Sequence, residues 1–202
     1  LLRKIGGNGV TTISVLFNTL GGTNEIDAGQ LALAGAGTSS NGTFNVASGA
    51  SVDLTGGSEP TWSGRLIGLG AGQVQLNSGQ IDANGLTIDC APGMFQWNGG
   101  RINGVFTNVN EMRIAGGVVV NSFYNAGTIR HTAAAGFSLS RAGSGSTFYN
   151  LAGGTYNFEG NGDVSQADCC GPTFFVNSGL LRKSGGLTTA AISGTFTNSN
   201  GS

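Results

Sequence analysis

Charged side chains are scarce in this chain of 202 residues. Asp, Glu, Lys and Arg make up 9% of it and the formal net charge is −1, whereas a charged fraction of about 25% is usual. So weak a charge excludes the basic surface with which proteins bind nucleic acids or anionic membranes. No apolar run approaches the roughly 18 residues of a membrane-spanning helix, so we expect no membrane insertion.

Proline, cysteine and histidine are also rare, with three, three and one residues. So little proline, without a strict Gly-x-y period, excludes a collagen triple helix. Three cysteines, Cys90, Cys169 and Cys170, make no disulfide framework for a chain of this length. The single histidine, His131, has no cysteines at zinc-ligand spacing, and we expect it at the surface beside Arg130.

Glycine is abundant and interrupts every candidate helix. The chain has 38 glycines, and each glycine inside a helix costs roughly 1 kcal/mol. Apolar residues instead alternate with polar ones over short stretches such as Val74-Gln-Leu76 and Met112-Arg-Ile114. Alternating runs bounded by Gly, Asn and Ser predict β-strands.

A short motif, Phe-x-Asn, recurs along the second half of the chain. Successive copies begin 17, 25, 27 and 21 residues apart, and recurrence at roughly 20–50 residues is typical of repeat folds. A second motif, Asn-x-Gly, overlaps it at Asn125 and Asn177 and stands without the phenylalanine at Asn77 and Asn98. Its glycine permits the positive φ of a tight bend. The predicted unit is a strand, a Gly/Asn turn and a second strand.

This recurrence favours a stacked solenoid over an antiparallel sandwich. A sandwich has turns about every 8–12 residues but does not return to one motif. In a parallel solenoid each coil lies about 4.8 Å from the last, so equivalent residues stack on their own kind. We therefore predict an all-β fold, a parallel β-helix of about eight to nine coils of roughly 22 residues.

The repeated motif predicts one inward stack and one outward stripe, because successive side chains of a strand face opposite sides. Inward phenylalanines would pack on one another, and asparagines at the bend would form an amide ladder. The predicted stack consists of Phe106, Phe123, Phe148, Phe175, Phe196, Asn108, Asn125, Asn150, Asn177 and Asn198. The predicted stripe consists of Thr107, Tyr124, Tyr149, Val176 and Thr197. The stripe either covers the backbone or forms a contact surface for glycan or a neighbouring fibre.

A longer similarity joins the two ends of the chain. Leu1-Leu-Arg-Lys4 returns as Leu180-Leu-Arg-Lys183, and ten of 23 positions are identical at this offset of 179 residues. We expect residues 1–179 to form one complete long repeat and residues 180–202 to begin the next, with no separate domain. The partners expected at the ends are further copies of the same repeat, stacked end to end.

The spacing of the cysteines argues against a disulfide within such a stack. Cys90 and Cys169 are 79 residues apart, which is three to four coils, or roughly 17 Å along the axis. A disulfide needs Cα atoms within about 7 Å of each other. We therefore predict no Cys90–Cys169 bond.

Two segments, residues 175–186 and residues 44–54, carry a resemblance to known proteins. Phe175-Val-Asn-Ser-Gly-Leu-Leu-Arg-Lys-Ser-Gly-Gly186 and Phe44-Asn-Val-Ala-Ser-Gly-Ala-Ser-Val-Asp-Leu54 resemble the repeat regions of very large secreted bacterial proteins, the autotransporter passengers and filamentous-haemagglutinin-like adhesins. This resemblance implies a right-handed parallel β-helix that is exported to the cell surface or beyond.

Parallel β-helices also include polysaccharide lyases and hydrolases, whose catalytic residues have recognisable patterns. A glycosidase needs two carboxylates about 5–10 Å apart, and Glu25 and Asp27 have the spacing of neighbours on one strand face. We interpret them as solvent-facing residues, without a base or metal partner. Residues 160–168 resemble a calcium turn but lack the nine-residue recurrence of calcium-binding rolls. We predict no enzyme, no catalytic or metal site and no cofactor.

Two functional hypotheses remain. The first is a structural or adhesive element, a rigid tandem-repeat rod in an extracellular bacterial fibre, stalk or surface protein. The alternative is a carbohydrate-interacting β-helix, either a glycan-binding adhesin face or a lyase-like domain. Outward aromatic residues on one face would favour the alternative.

Overall fold

The computed structural model describes residues 1–132, 136–140, 145–167 and 172–199, and none of these residues is helical. Cys169, Cys170 and Asp168 lie outside the described residues. The first strands are β1 (Leu2–Lys4), β2 (Val10–Ile13), β3 (Thr23–Ile26), β4 (Gln30–Leu33), β5 (Thr38–Ser40), β6 (Thr43–Val46), β7 (Ser51–Asp53), β8 (Thr61–Gly70), β9 (Gln73–Leu76), β10 (Gln80–Cys90) and β11 (Phe95–Trp97). The others are β12 (Arg101–Asn108), β13 (Glu111–Ile114), β14 (Gly117–Asn125), β15 (Thr128–His131), β16 (Phe137–Ser140), β17 (Ser146–Asn150), β18 (Thr155–Phe158), β19 (Val164–Ala167), β20 (Thr173–Asn177), β21 (Leu180–Lys183) and β22 (Thr195–Asn198).

The strands form two parallel sheets that the chain visits in turn. The first sheet has 13 strands, with the main path β1-β3-β6-β8-β10-β12-β14-β17-β20-β22. The second has nine, in the order β2-β4-β7-β9-β11-β13-β15-β18-β21. Each coil therefore pairs with the coil before and the coil after it, and the chain forms a β-solenoid of about nine turns of about 21 residues. The predicted parallel β-helix is confirmed. Among the described residues, none belongs to a helix that could cross a membrane.

The first sheet bends midway along its long strands. Strands β5 and β6 pair with opposite halves of β8. The bend contains residues with positive φ, namely Gly64 (62°), Gly85 (65°), Gly104 (105°) and Asn121 (84°), a conformation that glycine adopts freely and asparagine tolerates. Each complete coil thus has three straight sides, two from the first sheet and one from the second.

The core lies between these sides and is rich in aromatic residues. Its largest fully buried side chains include Trp62, Trp97, Phe44 and Phe95. The in-register pairs Phe95↔Val74 and Trp97↔Leu76 show how each coil packs on its neighbour. Stacking of like residues thereby produces one continuous apolar column.

The expected surface position of His131 is wrong. Its side chain is 1% exposed, and its Nδ1 lies 3.0 Å from the hydroxyl of Tyr156. The alternation of β15 explains this: Ile129 faces the core, Arg130 faces solvent, and the next residue returns to the core.

The Asn-x-Gly motif occupies two different corners rather than one. Asn125-Ala-Gly127 connects the first sheet to the second, whereas Asn77-Ser-Gly79 connects the second sheet to the first. Gly79 has the expected positive φ, 69°. Gly127 is not among the positive-φ glycines of the described chain; a Cβ there would clash with the carbonyl oxygen of Asn110 in the coil below. At Gly79, too, a Cβ would clash with a carbonyl oxygen of the neighbouring coil, that of Ser58, so close approach requires glycine at both corners and a positive φ requires it at one.

The two Leu-Leu-Arg-Lys segments do not occupy equivalent places. The first includes β1, which pairs with β3 in the 13-stranded sheet, and the second includes β21, which pairs with β18 in the nine-stranded sheet. The two segments, although identical in sequence and 179 residues apart, therefore lie at different positions within their coils. The division into residues 1–179 and 180–202 stays a prediction.

Candidate contact surface and asparagine ladder

The predicted phenylalanine column runs through five consecutive coils. Phe106, Phe123, Phe148 and Phe175 are at most 1% exposed. Their rings meet in different ways: Phe106 and Phe123 stack at a centroid distance of 4.2 Å, whereas Phe123 and Phe148 meet edge to face at 5.0 Å. Phe196 is 44% exposed, because β22 is the last strand of its sheet.

The five asparagines of the motif form a continuous amide ladder. The Nδ2 of Asn108 donates to Oδ1 of Asn125 at 2.9 Å, and Asn125 donates in the same way to Asn150 at 2.8 Å. Asn150 then donates to Asn177 at 2.7 Å, and Asn177 to Asn198 at 2.8 Å. Every bond runs in the same direction, from each coil to the next one along the chain.

The ladder also fixes the corner that follows each strand. The Nδ2 of Asn108 donates to the carbonyl oxygen of Asn110 at 2.7 Å, and Asn177 donates to that of Gly179 at 3.1 Å. One amide thus satisfies a turn carbonyl and a neighbouring coil together. This double role explains why asparagine recurs at a position where coils without the motif have an apolar residue.

The ladder begins abruptly at Asn108. The coil below has Ile88 in register with it, and Oδ1 of Asn108 is buried without a hydrogen-bond partner. A buried acceptor of this kind costs about 1–3 kcal/mol. The first rung is therefore the least well satisfied of the buried rungs.

A shorter ladder, which sequence reasoning missed, lies at the other corner. The Nδ2 of Asn98 donates to Oδ1 of Asn77 at 2.8 Å, and Nδ2 of Asn77 donates to Oδ2 of Asp53 at 3.1 Å. Its bonds run toward earlier coils, opposite to the long ladder. The available signal was the Asn-x-Gly motif at Asn77 and Asn98, which lacks the preceding phenylalanine.

The outward stripe is present as an in-register column. Thr107 pairs with Tyr124, Tyr124 with Tyr149, and Tyr149 with Val176. The four are half-buried, and Thr197 at the end is exposed. The rings of Tyr124 and Tyr149 are parallel within 4° at a centroid distance of 4.7 Å. Because their faces cover each other, the two tyrosines present ring edges to solvent.

One further outward aromatic residue, Phe174, escaped the sequence analysis. It is half-buried beside the buried Phe175, in register with Thr147 and Thr195 of the neighbouring coils. The signal was available, because alternation outward from Phe175 assigns residues 174 and 176 to the same face. Phe174 widens the stripe into a second column.

Arginine–carboxylate pairs join neighbouring coils on the outer surface. Arg3 contacts both Glu25 and Asp27 at 3.0 Å, so both members of the only carboxylate pair considered for catalysis are engaged. Arg130 lies between Glu111, at 3.4 Å, and Glu159, at 2.8 Å. The hydrogen bond from Arg130 lowers the pKa of Glu159. Pairs this exposed stabilise a fold by about 1 kcal/mol or less.

Two further ionisable groups, Cys90 and Tyr156, are enclosed in the core. Cys90 is a free, buried thiol, and burial, with a smaller effect of Asp89, raises its pKa. Burial also raises the pKa of Tyr156. Asp163, in the segment that resembles a calcium turn, accepts a hydrogen bond from the backbone N–H of Ala191 at 2.7 Å. Within the described ranges, no three His, Cys, Asp or Glu side chains are grouped as metal ligands.

Comparison with protein-family models, with curated proteins and with solved structures gave no match. The arguments about function therefore rest on the sequence, on the fold and on the surfaces described above.

Proposed function

We propose that this chain is a structural segment of an extracellular bacterial fibre, stalk or surface protein, and that it acts as a rigid rod rather than as an enzyme. The observation that carries the proposal is the long amide ladder. It joins five consecutive coils, from Asn108 to Asn198, through bonds of 2.7 to 2.9 Å. Bending or sliding one coil against the next would break buried hydrogen bonds, which are costly to leave unmade.

The stack converts chain length into a fixed distance. About nine turns at about 4.8 Å per coil give a rod of roughly 43 Å. Hydrogen bonding along both sheets and the aromatic column oppose bending in every direction. A rod of this kind suits a spacer that holds another part of its parent protein away from a surface.

The extracellular setting rests on the resemblance to autotransporter passengers and filamentous-haemagglutinin-like adhesins. The composition also supports an extracellular setting. The chain is rich in Ser, Thr, Asn and Gly and only 9% of its residues are charged, a balance that is common in secreted surface proteins. We propose further coils of the parent chain as the partners of this segment. Neighbouring rods or surface glycans are proposed as lateral partners.

The alternative, a carbohydrate-interacting face, is favoured by one observation. Tyr124, Tyr149 and Phe174 stand on the outer side of the same sheet. Aromatic residues often supply the apolar part of a ligand site, but the stacking of the two tyrosines leaves their edges rather than their faces for contact. A glycan would therefore bind through the hydroxyl groups and through Phe174.

Electron microscopy of the parent protein tests the rod. A rise of about 4.8 Å for each coil of about 21 residues predicts about 0.23 Å of rod length per residue. Proteolysis of intact source cells should release fragments of this segment if it is extracellular. Beads joined by flexible linkers, or strands parallel to the long axis, would contradict the proposal.

A glycan array tests the alternative with the same chain. Tyr124→Ala and Phe174→Ala should abolish any binding that uses this face, whereas Thr12→Ala, on the other sheet, should not. Absence of binding by the unaltered chain would remove the alternative and leave the rod untouched.

A further inference from the structure

The bend of the first sheet contains one residue that has no partner in either neighbouring coil. The ladder between β10 and β8 and the ladder between β10 and β12 both pass directly from Asn84 to Leu86. Gly85 is therefore a bulge against both neighbours, and the extra residue of a bulge is left unpaired. Its φ is 65°, and a Cβ on it would meet nothing within 4 Å. The main chain at Gly85 is thus held by little around it.

The residue before this bulge is an asparagine whose side chain is equally unrestrained. Asn84 and Gly85 are both exposed, and within the described chain the Asn84 amide makes no side-chain hydrogen bond. In an Asn-Gly pair the backbone nitrogen of glycine can attack the carbonyl carbon of the preceding side chain, because glycine has no Cβ to obstruct the approach and reaches many conformations. Both reacting groups are therefore free to move in the middle of the stack.

Two other Asn-Gly pairs lie at the same bend, and the side chains of both are held. The Oδ1 of Asn41 accepts a hydrogen bond from the backbone N–H of Arg65 at 3.0 Å. The Nδ2 of Asn103 donates to Oδ1 of Asp82 at 3.0 Å. Position at the bend is thus not enough to free an asparagine, and Asn84 differs from its counterparts in lacking such a bond.

A further Asn-Gly pair, at the corner between the two sheets, matches Asn84 in exposure but not in bonding. Asn98 is exposed, yet its Nδ2 donates to Oδ1 of Asn77 at 2.8 Å. The backbone N–H of Gly99, which would have to attack, donates to the carbonyl oxygen of Leu76 at 3.2 Å. Asn98 therefore separates the effect of hydrogen bonding from the effect of exposure.

We propose that Asn84 is a site of spontaneous deamidation. The backbone nitrogen of Gly85 forms a bond to Cγ of Asn84 and gives up its proton, the Cγ–Nδ2 bond breaks, and ammonia leaves. The product is a five-membered succinimide ring. Water then opens the ring, giving aspartate when the nitrogen–Cγ bond breaks and isoaspartate when the original peptide bond breaks. Water is the only other reactant, and nothing is oxidised or reduced.

The bulge also allows the coil to accept the product. Isoaspartate adds one methylene group to the main chain, and an added length that shifted the register would turn core side chains outward. Strand β10 already has one residue more than β8 and β12 at this point, so the bulge can absorb the addition while Ala83 and Leu86 stay buried on either side. The reaction replaces a neutral amide with a carboxylate, which takes the formal net charge from −1 to −2. This inference goes beyond the proposed function and does not depend on it.

The test compares asparagines within one chain, folded and unfolded. The whole chain is kept at mildly alkaline pH with and without urea, and peptide mass spectrometry follows the exchange of the side-chain NH₂ for OH at each Asn-Gly pair. Asn84 should react in the folded chain at nearly its rate in urea. Asn98 should react at least about tenfold more slowly in the folded chain than in urea, because two hydrogen bonds must break before the attack.

Two substitutions locate the reaction. Asn84→Gln should remove the acidic species that ion-exchange chromatography separates from the aged folded chain, because glutamine must form a six-membered ring and reacts far more slowly. Asn98→Gln is the matched control, and the acidic species should persist in it. The separated acidic form should contain isoaspartate at residue 84, detected by enzymatic methylation, and it should keep the circular dichroism and nearly the melting temperature of the parent.

Three results would overturn the proposal. They are protection of Asn84 in the folded chain as strong as that of Asn98, an acidic species that survives Asn84→Gln, and a clear loss of structure in the form modified at residue 84. None of these results bears on the rod, whose test is the shape of the parent protein.

Discussion

Replacing Asn150 with alanine removes one rung from the middle of the long ladder. The side chain is 1% exposed, accepts from Asn125 at 2.8 Å and donates to Oδ1 of Asn177 at 2.7 Å and to the carbonyl oxygen of Leu180 at 3.0 Å. After the substitution Nδ2 of Asn125 still reaches the carbonyl oxygens of Gly127 and Thr155. Oδ1 of Asn177, by contrast, loses its donor and stays buried.

The expected cost follows from these partners. A buried acceptor without a donor costs about 1–3 kcal/mol, and each of the two other lost hydrogen bonds contributes about 1 kcal/mol. The free energy of unfolding should therefore fall by about 3–5 kcal/mol. For a chain of this size that corresponds to a melting temperature roughly 6–20 °C lower.

Urea denaturation followed by circular dichroism measures this change, and two variants control it. Asn198→Ala removes the exposed last rung, and Asn177 keeps its bond to Gly179, so it should cost about 1 kcal/mol or less. Asn150→Leu restores side-chain volume but not the hydrogen bonds, and it should stay destabilised. Equal costs for Asn150→Ala and Asn198→Ala, or full recovery with leucine, would refute the ladder as a source of stability.

Three further tests address the phenylalanine column, the Arg130 ion pair and the buried cysteine. Phe148→Ala should lower the free energy of unfolding by about 3–5 kcal/mol, as for other buried phenylalanines, whereas Phe196→Ala should cost clearly less; similar losses in urea denaturation would contradict the column. The pKa of Glu159 is lowered from 4.5 in the folded chain, so its bond to Arg130 stabilises the fold above that pH and less as the pH falls below it. The stability gap between the parent and Arg130→Gln should thus close in acid, and a gap that widens would refute the pairing. Cys90 should react with iodoacetamide only after denaturation, as mass spectrometry of the alkylated chain would show.

The fold was predictable because one short motif carries two kinds of information. The recurrence of Phe-x-Asn gives the length of a coil, and alternation within the motif gives the inward side. From these, the burial of Phe123 and the line of Asn125, Asn150 and Asn177 follow without coordinates. Stacking identical residues at one spacing leaves few other arrangements that satisfy both the apolar rings and the amides.

The sequence-based predictions failed where the same residue type has different structural roles at different positions. The glycines of Asn-x-Gly look alike in sequence, and Gly79 and Gly127 both leave room for a carbonyl oxygen of the neighbouring coil, yet of these two only Gly79 has a positive φ. The sequence analysis expects His131 at the surface beside Arg130, although alternation within its own strand, β15, places it in the core. A hydrogen-bond partner such as Tyr156, 25 residues away, is set by the lengths of the intervening turns, which no local pattern reveals.

The coil placement of Leu-Leu-Arg-Lys was unpredictable for a related reason. The segment has two leucines followed by two basic residues and shows no alternation that would assign it to one sheet, and both sheets accept the same period of two. The neighbouring coil decides between them: β1 meets β3 and β21 meets β18. Sequence identity at a distance therefore predicts a strand but not its side of the coil.

Hydrogen exchange of the asparagine side-chain amides, measured by NMR, tests the central claim most directly. If the coils are stacked and joined by the ladder, the Nδ2 protons of Asn125, Asn150 and Asn177 should be strongly protected, while those of Asn198 should exchange as fast as in a free peptide. Nuclear Overhauser contacts should connect each protected amide to the asparagine of the next coil. Uniformly fast exchange, or protection without those contacts, would contradict the stack.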